Sequence, residues 1–336
     1  MKVSVIMPVR NSATTIDRAV QSIQTQILEN WELIIIDDGS EDETFNIIQS
    51  YSRTDKRIRI IRQKPLGIVK ALNIGIAHAS GTLIARMDSD DVSHSERLAS
   101  QFSFLNENKE IDVLGTRVRF MGDATHQKGY DSYVEWTNTL LSWESIRKNR
   151  FIESPFAHPS VMFRRSLIGD PSLFYRSGHF PEDYDLWLRL IDKGVQMAKL
   201  PEFLLDWYDP PERLSRQDLR YSPQAFYETK AKYLAKWLNL SGINRPIWIW
   251  GAGRITRKRS SLLLSHGIQI SGYIDIDPRK IGGQIKGLQV IRPEDIPHIK
   301  NAYIVSYVGN RGAREDIRTF LTELGLTEEK DFILAA

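Results

Sequence analysis

At 336 residues the chain is longer than one hydrophobic core usually supports, so two domains are expected. Its 41% apolar and 26% charged residues exclude wholesale disorder, and 45 basic against 42 acidic side chains, a net +3, exclude a dedicated nucleic-acid binder. The absence of cysteine excludes disulfides and thiolate metal sites, leaving oxygen or imidazole to hold any metal ion.

The first ninety residues alternate Val- and Ile-rich runs with amphipathic stretches, the pattern of parallel strands joined by helices in a doubly wound α/β sheet. Strands are predicted at Val3 to Met7, Leu33 to Ile36, Ile58 to Ile61 and Leu83 to Arg86, and helices at Ala13 to Gln26, Glu43 to Tyr51 and Ile68 to Ala79. Ser95 to Asn106 reads as a helix begun by a Ser95 cap, followed by a strand from Asp112 to Phe120. Asp131 to Arg150 carries a helical stripe of Trp136, Leu140, Leu141 and Ile146, best read as packing. Ala225 to Trp237 marks a long helix, and a fresh strand at Ile247 opens a second alternating block. These boundaries give residues 1–216, a helical connector over 217–243 and a smaller α/β domain over 244–336, with the break near Leu240. No apolar run approaches the roughly 20 residues of a bilayer span, and the chain enters a strand at once without a signal-peptide pattern. A cytoplasmic protein is expected, with peripheral membrane contact and self-association left open.

In an open parallel sheet, ligands bind beyond the carboxyl ends of the strands. Three polar loops fall there: Pro8-Val9-Arg10-Asn11, Asp37-Asp38-Gly39-Ser40 and Asp88-Ser89-Asp90-Asp91. Asp88 and Asp90, one residue apart, suit a hard cation such as Mg²⁺ or Mn²⁺ that also grips a diphosphate. An Asp-x-Asp alone is more often a solvated turn, and its position directly after an apolar strand is what raises its weight. Arg86 stands where it meets phosphate or locks a carboxylate. Asp38 either accepts a hydrogen bond from a base or ribose or closes an Asx-turn. Lys70, just inside the helix after Gly67, is placed to reach a diphosphate, although a solvated lysine is the commoner case. A second acidic group, Glu182-Asp183-Tyr184-Asp185, opens a helix, where acids also complement the helix dipole. Asp183 is the candidate to take a proton from an attacking hydroxyl.

The runs Val3 to Asn11, Ile36 to Ser40, Gly67 to Gly75 and Ala85 to Asp91 resemble, in order and spacing, the family-2 glycosyltransferases of the GT-A fold. Glu96-Arg97-Leu98, Asp112 to Thr116, His158 to Met162 and Glu182 to Arg189 continue the likeness over about residues 1 to 216. The resemblance implies a GT-A doubly wound, mostly parallel sheet and inversion at the anomeric carbon of a nucleotide diphosphate sugar, a UDP-sugar being favoured. The acceptor would be a saccharide or a lipid-linked one, in the synthesis of bacterial surface polysaccharide or glycoconjugate. Residue by residue, it implies that Pro8, Val9 and Arg10 line the nucleotide pocket and that Asp38 binds base or ribose. It further implies that Asp88, Ser89 and Asp90 hold nucleotide, that Asp88 and Asp90 hold Mn²⁺ or Mg²⁺, that Asp183 is the base, and that Glu182 orients it or the acceptor. His158 is a low-weight neighbour of that site. Many relatives carry a metal-completing His where Asp206 to Arg216 stands here, so the third metal ligand is open, and Arg213 and Arg216 are instead expected to close over the diphosphate.

In the second block, Gly251-Ala252-Gly253 follows a strand, Thr256 replaces the third glycine of a dinucleotide fingerprint, and Asp275 and Asp277 lie about 20 residues on. Another glycine-bearing turn, Gly309 to Arg314, follows the strand at Tyr303. The block resembles small Rossmann-like domains attached to sugar-modifying enzymes, with Gly251, Gly253 and Asp275 as a nucleotide site and a docking module as the equal alternative. Two rival functions remain. Nucleotidyl transfer wants a glycine-rich basic loop that Pro8 to Thr15 does not supply, and an NAD(P)-dependent oxidoreductase in the second block lacks an evident Tyr-Lys pair.

Overall fold

The computed structural model describes residues 2–122, 128–170, 174–209, 213–242, 244–310 and 312–336. By internal contacts it divides into two units: Met1–Ile146, Ser154–Gly178 and Glu182–Gln217 form the first, and Arg147–Glu153, His179–Pro181 and Asp218–Ala336 the second.

The first unit runs β1 (Val3–Val9), α1 (Ile16–Gln24), β2 (Trp31–Asp37), α2 (Thr44–Thr54), β3 (Ile58–Arg62), α3 (Ile68–His78), β4 (Leu83–Arg86), β5 (Val92–Ser93), α4 (Arg97–Glu107) and β6 (Ile111–Phe120). It continues through α5 (Lys128–Thr139), α6 (Trp143–Asn149), whose last residues fall in the second unit, β7 (Met162–Arg164), α7 (Glu182–Asp192), β8 (Gln196–Trp207) and α8 (Leu214–Gln217). Its strands form one sheet in the order β3-β2-β1-β4-β7-β6-β8-β5, with β1 parallel to β2 and β4 and β7 antiparallel to both of its neighbours. This is the α/β, mostly parallel sheet expected.

The strands β1, β2 and β4 are buried on both faces, which is why they read as continuous apolar runs. Side chains alternate between two cores as the pleat requires. Val3, Val5, Met7, Leu33 and Ile35 enter one, with Ile16, Ala19, Val20 and Ile23 of α1 at helical spacing over them. Ile6, Ile34 and Ile36 enter the other, beneath Val69, Leu72 and Ile76 of α3 and Leu186, Trp187, Leu190 and Ile191 of α7. Truncating one such residue, Ile34→Ala for example, is expected to cost about 2–5 kcal/mol. The helix after the acidic loop starts at Arg97, and Ser95 does not cap it: the Arg97 N–H donates to the His94 carbonyl at 3.0 Å, and the Ser95 carbonyl accepts from Ile27 at 3.0 Å. The predicted strand at Asp112 and the helical stripe after Asp131 appear as β6 and as α5 and α6.

The second unit holds α9 (Pro223–Leu240), β9 (Ile247–Trp250), α10 (Arg254–Ser260), β10 (Ile270–Ile274), β11 (Gln284–Ile285), β12 (Leu288–Ile291), β13 (Tyr303–Ser306), α11 (Ala313–Glu323) and β14 (Phe332–Leu334). Ser222 caps α9 from its side chain, with Pro223 at the first helical position. The sheet order is β11-β12-β10-β9-β13-β14, parallel except for β11. Among the described residues no helix is long and apolar enough to cross a membrane.

Candidate active site

The loops after β1, β2 and β4 are knitted together at the carboxyl ends of their strands. Pro8 and Val9 are buried and Arg10 is exposed. Asn11, at φ 48°, donates its N–H to Ser40 Oγ at 3.0 Å and accepts from the Glu41 N–H at 2.9 Å. Ser12 reaches the acidic loop through a 2.8 Å hydrogen bond with Ser89. The Asx-turn after β2 belongs to Asp37, whose Oδ1 accepts from the Ser40 N–H at 2.9 Å. Asp38 does other work. Its Oδ1 accepts from Gln63 Nε2 at 2.6 Å and the Leu66 N–H at 2.8 Å, and its Oδ2 from the Gly67 N–H at 2.8 Å. A carboxylate offers about four acceptor positions, so one remains for a ligand. Gly39, at φ 72°, is required because a Cβ there would lie 2.7 Å from Pro65. Lys70 is exposed on the first turn of α3.

Beyond β4, one carboxylate oxygen from each of Asp88, Asp90 and Asp91 lies within 4.8 Å of the others. Arg86, buried at 3% exposure, ion-pairs with Asp88 and donates to the Met87 carbonyl, so of the two readings of this cation it locks a carboxylate. Burial, with Asp88 alongside, pushes the Asp90 carboxyl up to about 6, and burial followed by Asp90 and Asp88 pushes Asp91 well above the usual carboxylate range. Asp91 Oδ1 accepts from the Tyr208 N–H at 2.8 Å, while Oδ2 is buried without a hydrogen-bond partner. An orphaned buried oxygen beside two further carboxylates, all hard donors, fits a divalent cation.

Two arginines to which the sequence assigned no role brace this loop. Arg18, on α1, donates Nη2 to the Asp90 carbonyl at 2.6 Å and lies 3.6 Å over the Tyr208 ring. Arg97 is fully buried and donates to the Arg86 carbonyl at 2.5 Å, and burial pulls it down to about 10.

Asp183, in the first turn of α7, accepts from the Tyr184 N–H at 2.7 Å. Burial first, and then the buried Glu182 beside it, push its carboxyl up to about 7. The positive charge of Arg213 opposes the rise of the Asp90, Asp91 and Asp183 carboxyls, as a smaller influence on each than burial and the neighbouring acids. Arg213 stacks 3.9 Å over Trp207 and approaches Asp209 at 3.8 Å, leaving Nη1 without a hydrogen bond. Arg216 pairs through Nε, at 3.2 Å, and Nη2 with the buried Asp209 carboxylate. Residues 210–212 of the segment expected to close over the diphosphate lie outside the described residues. His158 donates to or accepts from the Tyr175 hydroxyl at 2.8 Å and meets Trp187 edge-on, and burial keeps it neutral.

With this geometry in place, the sequence profile described as glycosyl transferase family 2 matches residues 4–170. The O-antigen biosynthesis glycosyltransferase WbnJ of Escherichia coli is 30% identical over 70% of this chain and 89% of its own. The chain belongs to glycosyl transferase family 2. It is a glycosyltransferase of the nucleotide-sugar type. Another relative, the UDP-Gal:alpha-D-GlcNAc-diphosphoundecaprenol beta-1,3-galactosyltransferase of Escherichia coli, is 30% identical over 69% of this chain and 82% of its own. Among solved structures, S. aureus TarS 1-349 in complex with UDP-GlcNAc superposes with a TM-score of 0.55 at 19% identity, covering 79% of this chain and 71% of that one, a likeness of fold that agrees with GT-A. A second profile, described as C2185-like, N-terminal, matches residues 243–332 of this family-2 transferase.

In that second unit the glycine loop is shaped from within. Gly251 has φ 110°, and a Cβ on it would lie 2.8 Å from Thr256, the residue replacing the third glycine. Asp275 Oδ2 accepts from the Ala252 N–H at 2.7 Å and from Lys280 at 3.1 Å, and Oδ1 accepts from the Asp277 N–H at 2.8 Å. The acid expected to take a ribose is therefore engaged in holding the loop. Asp277 is paired with Arg279 and Lys280. Arg311, in the second glycine-bearing turn, lies outside the described residues.

Proposed function

We propose that the enzyme is an inverting transferase that moves a sugar from a UDP-sugar to a hydroxyl of a lipid-linked saccharide, in the synthesis of a bacterial surface polysaccharide, with residues 1–216 as its catalytic domain. Relatives named for O-antigen biosynthesis and for galactosyl transfer to a diphosphoundecaprenol-linked sugar support the acceptor class. The observation that carries the mechanism is the cluster of Asp88, Asp90 and Asp91, with its orphaned buried oxygen, because a divalent ion held there would grip the donor diphosphate.

In this reading Pro8, Val9 and Arg10 line the nucleotide and the free acceptor position of Asp38 meets the base or ribose. Asp88 and Asp90, with Asp91 beside them, would hold Mn²⁺ or Mg²⁺, which when bound neutralises charge on the departing diphosphate. Ser89 keeps the loop tied to Ser12, and Arg86 fixes the Asp88 carboxylate. Arg213, whose Nη1 has no hydrogen-bond partner, faces the diphosphate, with Lys70 on the same rim. Asp183 takes the proton from the acceptor hydroxyl as that oxygen attacks the anomeric carbon opposite the nucleotide. A carboxyl raised to about 7 is a far better proton acceptor than one near 4 and still ionises at cytoplasmic pH. Glu182 is the neighbour that raises it.

The test is a donor screen with radiolabelled UDP-, GDP- and dTDP-sugars on an undecaprenyl-diphosphate-linked sugar, with the product anomer assigned by NMR. A β-linked product from an α-linked UDP-sugar is expected. An α-linked product would refute inversion, and donor turnover without a glycoside product would refute the acceptor class.

A further inference from the structure

Around the Tyr227 ring in the second unit stand three donors that the fold does not fully satisfy. Arg259 lies with its guanidinium 4.1 Å over the ring and makes no hydrogen bond to a described residue. Lys230, 3% exposed, sits 4.1 Å over the same ring. Its ammonium donates to the Ile152 and Ala335 carbonyls at 2.8 Å each, with no ion pair among the described residues. Tyr307, 1% exposed, has its ring centroid 6.5 Å from that of Tyr227, and its buried hydroxyl has no hydrogen-bond partner. Arg314 adds its charge from α11 while donating Nε to the Ala336 carbonyl at 2.9 Å. The acid acting on these groups is Glu153, which is exposed and forms no ion pair with them. A buried lysine, whose ammonium burial pulls down to about 7, an arginine without an acceptor and an unpartnered phenol on one ring make a surplus of donors, a place suited to an anion that would restore the ammonium charge.

Its place in the fold narrows the class of anion. Tyr307 directly follows β13, which neighbours β9 at the point where the strand order reverses, the position at which parallel α/β sheets take their ligands. The loops after those two strands touch, since a Cβ on Gly251 would lie 3.1 Å from Val308. Two further glycines there are not demanded by the fold. A Cβ on Gly253 would meet nothing within 4 Å, and one on Gly309 would make only ordinary contacts, 3.6 Å to Ala336 and 3.8 Å to Arg259 Nη1. Glycine at both positions leaves the main chain of these loops open to close approach by a ligand.

We propose that Arg259, Lys230 and the Tyr307 hydroxyl, ordered around Tyr227 and opening beside Gly309, form a second site that binds the phosphate of a nucleotide. Asp275 already serves the Gly251 loop and Lys280, so the site takes a nucleoside phosphate by its phosphate end and does not grip a nicotinamide dinucleotide by its ribose. The proposal is independent of the catalytic reading above.

It is tested by calorimetric titration of the full chain, in EDTA, with UDP, ADP and inorganic pyrophosphate, in the wild type and in Asp90→Ala, Arg259→Gln, Arg259→Lys and Tyr307→Phe. At least one nucleotide is expected to bind one to one, equally in the wild type and Asp90→Ala, and more tightly than pyrophosphate. Arg259→Gln should weaken it about tenfold or more, Arg259→Lys less, and Tyr307→Phe severalfold. Arg259 is partly exposed and Tyr307→Phe is isosteric, so all variants should keep the wild-type melting temperature within a few degrees. No binding by any probe in EDTA, or binding unchanged in Arg259→Gln, overturns the site. Loss of binding in Asp90→Ala would assign it to the first unit, and pyrophosphate binding as tightly as the nucleotides would overturn the nucleotide class.

Discussion

The buried Asp91 carboxylate accepts the Tyr208 N–H at 2.8 Å, and so joins the acidic loop after β4 to the end of β8, from which Asp209 and Arg213 follow. One oxygen of that carboxylate is structural, and the other, orphaned, faces the question of the metal. Asp91→Asn keeps an acceptor for Tyr208 and removes the charge. The variant is expected to melt no lower than the wild type at pH 8 in EDTA, because it relieves repulsion from Asp90 and Asp88, and to bind Mn²⁺ about tenfold or more weakly. Differential scanning calorimetry and Mn²⁺ titration check the two halves separately.

Asp183→Asn should remove the proton acceptor and little else. A loss in kcat of about 10²–10⁴ is expected with donor affinity within about threefold of the wild type. Equal loss of UDP affinity, read by calorimetry, would move Asp183 from the acceptor side to the donor side.

The raised Asp183 carboxyl fixes a pH dependence. As the proposed base Asp183 must be ionised to act, so kcat/KM should rise with unit slope through pH of about 7 and level off above it. Arg213 holds that carboxyl down, so Arg213→Gln should carry the rising limb to higher pH as well as raise the donor KM. Arg216→Gln should leave the limb in place, because its guanidinium is paired with Asp209. The same raised carboxyl bears on stability with the opposite sense. A group protonated more readily in the folded state contributes stability below its unfolded value, near 4, that is lost as pH rises through about 7. Asp183→Asn is therefore expected to melt higher than the wild type at pH 8 and not at pH 4.

Glu32 is the contrasting acid. Burial acts to raise it, but hydrogen bonds from Ser4, Ser80 and Lys2 outweigh burial and hold it at about 2. Its contribution to stability is present above the unfolded value, near 4.5, and is lost as pH falls through about 2. Glu32→Gln is expected to destabilise by about 1–3 kcal/mol at pH 7 with kcat unchanged, measured by urea unfolding.

What the sequence disclosed follows from what is local. Apolar runs buried on both faces gave β1, β2 and β4 within a residue or two, and the Ile-rich run of the partly exposed edge strand β3 gave it within one, since these patterns depend on few distant contacts. Asp88, Asp90 and Asp183 stood out because the loop that carries each follows a strand or opens a helix. Arg18 did not, since it meets Asp90 across 72 residues and no motif marks one arginine on an amphipathic helix. Asp91 was passed over for a related reason: its partner, the Tyr208 N–H, lies 117 residues on. The Ser95 cap failed because the His94 carbonyl closes that turn, and the pairing of Arg216 with Asp209 was not foreseen because it forms only once the chain is folded. Local propensity gives the elements, and the pairing of charges is a tertiary matter.

The most direct test of the catalytic reading is the rate of sugar transfer by EDTA-treated enzyme, measured before and after Mn²⁺ or Mg²⁺ is restored, in the wild type and in Asp90→Ala. Transfer is expected to vanish in EDTA, to return on adding the ion to the wild type, and not to return in the variant. Undiminished transfer in EDTA, or an Asp90→Ala enzyme restored as fully as the wild type, would contradict a donor diphosphate held through the acidic loop.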